Sequence, residues 1–408
     1  MPAPRVLFFP CGFPAEMPFF ARGLAAVGAR VVGLGDAPVP ALPQVTRHAL
    51  SDYVQVRNLF DEREVVERVL AYARRRPIHQ VECLWEPGML LAARLREALG
   101  LPGLDVAATR PFRDKELMKR RLDQAGLRTP RHRAARSASE VRQAAEEIGY
   151  PLIVKPIAGA GSADTYRVAD AEALEDVVRR TRHVETVSVE EFIEGEEYTF
   201  DTICAGGEIR YFNVAWYRPK PLVARSNEWI SPQTITLREV DTPTLRRGIE
   251  LGRKVLKALN FRDGFTHMEW FLTPSGEAVF GEIGARPPGA RSVDLMNYGG
   301  DLDTFTGWAE AVVHGRFSQP VRRRYNAAII FKRALGNGRI RRVEGLRRLL
   351  HELGPAVQHV DLLPVGAHRR NWRATLVSDG YVILRHPDLA TTCAMADRVG
   401  RELTLFAS

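Results

Sequence analysis

Cysteine is scarce in this sequence. Four residues (Cys11, Cys83, Cys204, Cys393) are scattered over 408 positions with no C-x-x-C pair among them. That spacing argues against a disulfide framework, a zinc cluster or a redox dithiol, and it suits a reducing, cytoplasmic setting. Long apolar runs are missing too. Stretches such as Val6 to Phe9 fall far short of the roughly 18 residues needed to cross a bilayer, so no membrane span is expected. Arg5 followed by Val-Leu-Phe-Phe faintly imitates a secretion signal, but Pro10 and Pro14 interrupt it and Glu16 follows directly. The segment reads as a first strand. No internal repeat or low-complexity tract appears. With 45% hydrophobic and 26% charged residues, disorder and collagen are excluded, and the length suits two or three domains.

Charge is not balanced. Lys and Arg number 58 against 49 Asp and Glu, a net +9, and the pI is near 9.6. Such a field favours anionic ligands such as nucleotides. The basic runs Arg74 to Arg76, Arg322 to Arg324 and Arg339 to Arg342 carry little aromatic interleaving and sit in no helix-turn-helix or zinc-finger frame. They read as solvated faces rather than a nucleic-acid groove.

Periodicity divides the chain. Val6 to Phe9, a helix over Met17 to Val27 and a buried strand over Ala29 to Leu34 make a βαβ unit, and a helix over Glu62 to Arg75 and a strand over His79 to Leu84 extend it. Gly33-x-Gly35-x-x-Pro38 lacks the last glycine of the dinucleotide fingerprint and follows the second strand, which argues against NAD. An amphipathic helix over Arg113 to Gly126, after Thr109-Arg110-Pro111, opens a new domain. The spacing then predicts a helix over Ser137 to Ile148, with Ser139 as its cap, and strands over Tyr150 to Pro156 and Ser162 to Val168. A helix over Glu172 to Arg182 closes a compact α+β subdomain. Strands follow over Val187 to Phe192, Tyr198 to Ala205, Glu208 to Tyr217, Phe265 to Leu272 and Glu277 to Glu282. The last two are joined by the hairpin signal Pro274-Ser275-Gly276, and a helix over Thr244 to Leu259 separates the two groups. The tail holds strand-like Ala327 to Phe331 and Trp372 to Val377 and a helix near Gly345 to Leu353.

Three stretches carry chemistry. In Tyr150-Pro-Leu-Ile-Val-Lys-Pro-Ile-Ala-Gly-Ala-Gly-Ser162, a lysine at a strand end precedes a Gly-x-Gly-Ser turn, which can aim backbone N–H groups and a cation at phosphate. It is not a Walker A loop, because Lys155 precedes the glycines; a plain hairpin turn is the alternative. The second stretch packs five Glu into the eight positions from Glu190 to Glu197. They would repel unless some meet cations, metal or sugar hydroxyls, and Glu194 and Glu196 read as an exposed acidic turn. In the third stretch, Glu269 and Glu282 flank the hairpin, so adjacent antiparallel strands could bring both carboxylates to one spot for a hard cation such as Mg2+ bridging phosphates. Structural pairing with Arg286 or Arg291 is the alternative.

In this order the elements resemble the ATP-grasp superfamily, of the carboxylate–amine ligase type, over about residues 5 to 330. The resemblance implies an N-terminal Rossmann-like open-sheet α/β domain (1–112), an ATP-grasp domain with an antiparallel-sheet core (113–325, lid about 128–188) and a small C-terminal α+β subdomain (326–408). It places Lys115 and Lys155 on the nucleotide phosphates and Gly159, Gly161 and Ser162 in the lid loop. Glu190 and the Phe192 and Ile193 backbones would meet adenine, Glu197 the ribose, and Glu269 and Glu282 the metal, Mg2+ or alternatively Mn2+. Arg286 resembles the arginine that steadies an acyl phosphate or the γ-phosphate. Many members read Glu-x-Asn-x-Arg where this chain reads Glu282-Ile-Gly284-Ala-Arg286, so the third side-chain metal ligand is absent and the number of metals stays open.

The implied activity is ATP-dependent joining of a carboxylate and an amine, with amino acids as the expected substrates, through an acyl phosphate that releases ADP and phosphate. A biotin-carboxylase-like or purine-pathway ligase is the alternative within the family, weakened by the lack of a Met-Lys-Met segment. A non-catalytic nucleotide-binding regulator is the alternative outside it. Arg291 and Arg225 are candidates to grip a substrate carboxylate, and Trp216 and Trp229 candidates for a side-chain pocket, with structural roles as the counter-reading. The segment Tyr217 to Trp229 reads as a mobile loop near the site and His267 as a satisfied hairpin residue. The residues after the core are expected to pack against the grasp or to help form a homodimer.

Overall fold

The computed structural model describes residues 3–157 and 164–408. Its N-terminal part alternates β1 (Arg5–Phe8), α1 (Met17–Ala26), β2 (Arg30–Gly35), α2 (Gln44–Ala49), β3 (Leu50–Gln55), α3 (Glu62–Ala73), β4 (Gln80–Glu82) and α4 (Met89–Leu99). The strands form a parallel sheet in the order β3-β2-β1-β4. Side chains alternate across a strand, and β1 uses both faces. Val6 and Phe8 join a core with Phe20, Phe265 and Trp308, while Leu7 packs with Val65, Val69 and Leu95. Sequence periodicity anticipates much of this unit but misses α2, β3 and α4; β3 is a half-exposed edge strand rich in polar residues.

Two helices lead onward, α5 (Val106–Thr109) and α6 (Lys115–Gln124). The Asp114 carboxylate caps α6 by accepting from the N–H groups of Glu116 and Leu117, both at 2.9 Å. A four-stranded sheet follows, built from β5 (His132–Ala135), β6 (Leu152–Pro156), β7 (Tyr166–Val168) and β8 (Val187–Glu191) in the antiparallel order β5-β8-β6-β7. Helices α7 (Ala138–Ile148) and α8 (Ala171–Arg180) cover it. The cap of α7 is Ser137, which accepts the Glu140 N–H, rather than Ser139, because the helix starts one residue before Ser139. The expected lid-loop residues Gly159, Gly161 and Ser162 lie outside the described residues.

An antiparallel sheet of eight strands forms the centre, in the order β13-β12-β9-β10-β11-β14-β18-β17. In chain order these are β9 (Glu196–Ala205), β10 (Glu208–Arg218), β11 (Gln233–Thr236), β12 (Gly264–Leu272), β13 (Ala278–Gly284) and β14 (Asn326–Phe331), with β17 (Val357–Leu362) and β18 (Gly380–His386) completing the edge. One face takes α10 (Pro243–Ala258) against Phe200, Met268 and Trp270. The opposite face, through Ile203 and Phe265, packs on α1 and on α12 (Thr304–His314). Gly248 and Gly252 let α10 come close, since a Cβ at either position would overlap the Trp270 or Phe200 ring. The short α9 (Pro221–Ser226) stands where the sequence suggested a mobile loop, and α11 (Ser292–Gly300) follows the hairpin.

Residues after 325 therefore do two things. Strands β14, β17 and β18 extend the central sheet, where α14 (Leu389–Glu402) packs on β14 and β18 with α13 (Leu346–Leu353) against it, while β15 (Leu335–Gly336), β16 (Ile340–Glu344) and β19 (Thr404–Ala407) form a small sheet. The strand expected over Trp372 to Val377 is not there. The Trp372 ring instead lies under the Arg333 guanidinium, and the strand falls at β18, whose first five residues are all buried and so carry no alternation.

Candidate functional site

A cavity of about 510 Å3 opens between the four-stranded sheet, the hinge after β8 and the end of the central sheet. Its walls are mixed. Ile153, Phe192, Ile193, Leu222 and Phe271 give an apolar side, while Lys115, Lys155, Glu190, Glu197, Glu269, Glu282 and Arg286 give a charged one. That size and mixture suit a small-molecule ligand fixed by a few polar groups.

Register explains the acidic pair. On neighbouring strands β12 and β13, Glu269 stands directly opposite Glu282, so both side chains point to one face. Each carboxylate has a cation or donor beside it. The Lys115 ammonium lies 3.0 Å from Glu282 Oε1, and the Tyr217 hydroxyl donates to Glu269 Oε1 at 3.3 Å. His267 Nε2 is 3.5 Å from the same oxygen. His267 also donates from Nδ1 to Asp201 Oδ1 at 2.6 Å, and Asp201 is held by Thr199 Oγ1 (2.8 Å) and Asn213 Nδ2 (3.0 Å) through its other oxygen. Burial works against the imidazolium, but these two carboxylates raise His267 to about 9. Burial alone would raise Glu269, and the His267 contact holds it below the usual carboxylate range. Glu197 is pushed well above that range by burial and by Glu269.

Beneath the hinge lies a buried ion cluster. Glu190 is 3% exposed and Lys119 1%. Glu190 Oε1 receives the Lys119 ammonium at 2.5 Å and the Ser188 hydroxyl at 2.8 Å, while Oε2 faces Lys155 Nζ at 3.0 Å. Burial penalises the carboxylate, yet the two lysines hold it well below its usual range. Burial also pulls Lys119 down to about 8. The Glu190 side chain is thus committed to lysines, and at the hinge the Phe192 N–H donates to Pro151 O.

Arg286 meets a partner from the N-terminal part. Its Nε and Nη2 lie 2.9 and 2.8 Å from Glu86 Oε2, and Arg113 engages the other oxygen. Gly284 sits under that side chain: a Cβ there would come 3.3 Å from Arg286 Cγ. The arginine stem fills the place where a third ligand side chain would start. Among the described residues no group of three His, Cys, Asp or Glu forms a metal cluster.

The sequence-derived residues do not all converge. Lys115, Lys155, Glu190, Phe192, Ile193, Glu197, Glu269, Glu282 and Arg286 line the one cavity, and so does His267. Arg291 stands apart from that lining, with its Nε donating to the Tyr381 hydroxyl at 3.0 Å, its backbone N–H to Glu16 Oε1 at 2.9 Å, and Asp294 3.4 Å from its Nη1. Arg225, on α9, does not line the cavity either. Trp216 donates from Nε1 to Glu196, and Trp229 is 76% exposed. Lys119, Glu86, Asp201 and Tyr217 were not singled out by sequence. Lys119 hides in the run Lys119-Arg120-Arg121, and only its i, i+4 spacing from Lys115 signals that it shares that residue's face.

Parts of the chain match known protein families. A model of the ATP-grasp domain matches residues 112–217, and one of the ATP-grasp N-terminal domain matches residues 25–103. Residues 25–103 and 112–217 thus match the two parts of an ATP-grasp unit. Among curated relatives, this chain is 26% identical over 220 residues to an L-arginine-specific L-amino acid ligase of Bacillus subtilis, covering 52% of either chain. It is 27% identical over 250 residues to an alanine–anticapsin ligase of Bacillus subtilis (strain 168), covering 55% of this chain and 52% of that one. The chain thus spans about half the length of the curated relatives it matches. Among solved structures, an L-amino acid ligase from Bacillus licheniformis superposes with a TM-score of 0.81 at 21% identity, covering 100% of this chain and 99% of that one. Among the described residues no helix is long and apolar enough to cross a membrane.

Proposed function

We propose that this chain is an ATP-dependent carboxylate–amine ligase that activates an amino-acid-type carboxylate as an acyl phosphate, couples it to an amine and releases ADP and phosphate. One observation carries the reading. A single cavity gathers two facing carboxylates, Glu269 and Glu282, with Lys115, Lys155 and Arg286 around them. That is the equipment for phosphoryl transfer, where catalysis is mostly positioning and charge stabilisation. The names of the relatives, ligases of amino acids, point to the substrate class.

The purine ring would lie against apolar residues of the cavity, among them Ile153, Phe192, Ile193 and Phe271. Because the Phe192 N–H is engaged by Pro151, ring contacts from that residue fall to its carbonyl, with Ile193 supplying the neighbouring backbone. The Glu197 carboxyl, which also lines the cavity, can accept from ribose hydroxyls. Lys155 and Lys115 would offset phosphate charge. Glu269 and Glu282 would hold a hard cation, Mg2+ or Mn2+, through their carboxylate oxygens, and two carboxylates would suffice because such an ion keeps several waters. When bound, that metal supplies charge neutralisation on the transferring phosphoryl group. Arg286, aimed by Glu86, supports the anionic acyl phosphate. The four-stranded subdomain and α9 would shield it from water.

The test is ADP release from Mg-ATP with pooled amino acids and other small carboxylates, run with hydroxylamine to trap acyl phosphates. A carboxylate-dependent hydroxamate is the expected result. ATP binding without ADP release across the pool would overturn ligase chemistry in favour of a nucleotide-binding regulator.

A further inference from the structure

We propose that Lys119 is a positioning residue: the permanent counter-ion of Glu190, whose presence lets Lys155 leave that carboxylate for the phosphates of a nucleotide. The inference rests on the function proposed above and names how its phosphate site is primed.

The two oxygens of Glu190 are divided between two lysines. Oε1 is taken by Lys119 and Ser188, and Oε2 by Lys155. Lys155 can therefore depart without disturbing the other oxygen. The two lysines also differ in access. Lys155 lines the cavity and Lys119 does not; Lys119 is 1% exposed and projects from α6 into the interior. Of the two lysines on Glu190, a ligand entering the cavity meets Lys155 and not Lys119.

Were Lys155 the sole partner, drawing it onto a phosphate would strand a buried carboxylate, which is strongly unfavourable. With Lys119 in place Glu190 remains paired throughout. Like-charge repulsion between the two ammonium groups also loosens Lys155 from its resting contact. The same helix face carries a second lysine one turn earlier, Lys115, which pairs with Glu282 and, unlike Lys119, lines the cavity itself. Helix α6 thus presents two lysines at i, i+4, one to each acid bordering the phosphate region.

Nucleotide titration of the full chain tests this, using ATP, ADP and adenosine on the native protein and on Lys119→Met, Lys119→Arg, Glu190→Gln and the Lys119→Met/Glu190→Gln double variant. In Lys119→Met, Glu190 keeps Lys155 as an exclusive partner, so no charge is stranded and the fold is preserved. ATP and ADP affinity should fall about tenfold, the size of coupling expected within one buried network, while adenosine affinity stays put. Lys119→Arg should retain ATP affinity, and the double variant should recover the affinity of Glu190→Gln, because no carboxylate then holds Lys155. Native-like ATP binding by Lys119→Met, an equal loss for adenosine, or no recovery in the double variant overturns the proposal. A native chain that binds no ATP at all refutes the proposed function itself, a result separable from these.

Discussion

Replacing Glu86 by Gln should loosen the N-terminal unit from the rest of the chain and disable Arg286 together. Glu86 has a side chain 9% exposed, between Arg113 and Arg286 at 20% and 21%. The carboxylate is shared, one oxygen to each guanidinium. Glu86→Gln keeps the shape but leaves two partly buried cations facing a neutral amide. Breaking a fully buried pair costs about 3–5 kcal/mol, and because both arginines remain one-fifth exposed, solvent returns part of it, leaving about 2–3 kcal/mol.

The melting shift then depends on what unfolds. At about 2.1 cal/mol/K per residue, cooperative melting of all 408 residues gives a shift of about 3 °C. Separate melting of an N-terminal unit of roughly 110 residues gives about 10 °C by the same relation. Differential scanning fluorimetry distinguishes the two. In the hydroxamate assay, a misplaced Arg286 should lower carboxylate-dependent turnover by about tenfold to a hundredfold, with ATP affinity unchanged, because the phosphate lysines are untouched. A melting temperature within one degree of native, as set against the roughly 3 °C minimum, together with unaltered turnover, would refute the reasoning. So would a loss of ATP binding as large as the loss of turnover.

Glu282→Gln should cut ADP release at least about a hundredfold while nucleotide still binds, and unchanged release would remove Glu282 from the metal pair. Chelation should stop ADP release, and added Mg2+ or Mn2+ should restore it; turnover in excess chelator contradicts the donor set. Lys332 is lowered to about 8 by burial, with its ammonium donating to Ser231 Oγ and Gly400 O. An unfolded lysine titrates near 10.4, so between about pH 8 and pH 10.4 the unfolded chain binds more protons, and Lys332 adds stability as pH rises and withholds it below pH 8. The melting temperature of Lys332→Met relative to native should therefore decline across that window, and a pH-independent difference would contradict it. Gly248→Ala, which puts a methyl into the Trp270 indole, should destabilise by about 1–3 kcal/mol; a native melting curve would show that α10 can shift away.

Much of the architecture is legible in the sequence because local signals coincide with buried alternation. Tyr150 to Pro156 reads as a strand, and the hairpin at Pro274 to Gly276 fixes Glu269 opposite Glu282. Reading fails where burial is two-sided or pairing is distant. Gly380 to His386 is buried on both faces and shows no period, so the alternating Trp372 to Val377 draws the strand assignment instead. Helices α11 and α12 were not anticipated, because Gly299, Gly300 and Gly307 weaken helical propensity locally. Gly307 lies against the Phe317 ring. In the site, the residues at strand ends were found, since a charge ending an apolar run stands out. Glu86 and Lys119 were not, because their partners lie 200 and 71 positions away, and nothing local distinguishes them from surface charges.

Those two residues share a property that bears on how the site is assembled. Each lies outside the cavity lining and neutralises a cavity residue from behind: Glu86 behind Arg286, and Lys119 behind Glu190. Charges that face a ligand must be exchangeable, since they trade one partner for another as phosphate or carboxylate arrives. Charges behind them must not be, because a buried ion left alone is costly. The supporting residues come from elements of the N-terminal unit and from α6, while the residues they support lie on β8 and beyond the end of β13. The exchangeable groups are therefore fixed from other segments of the chain. Seating of the N-terminal unit and of α6 on the central sheet is thus a condition for phosphate chemistry in the cavity, and mutations far from any ligand should act through these two contacts.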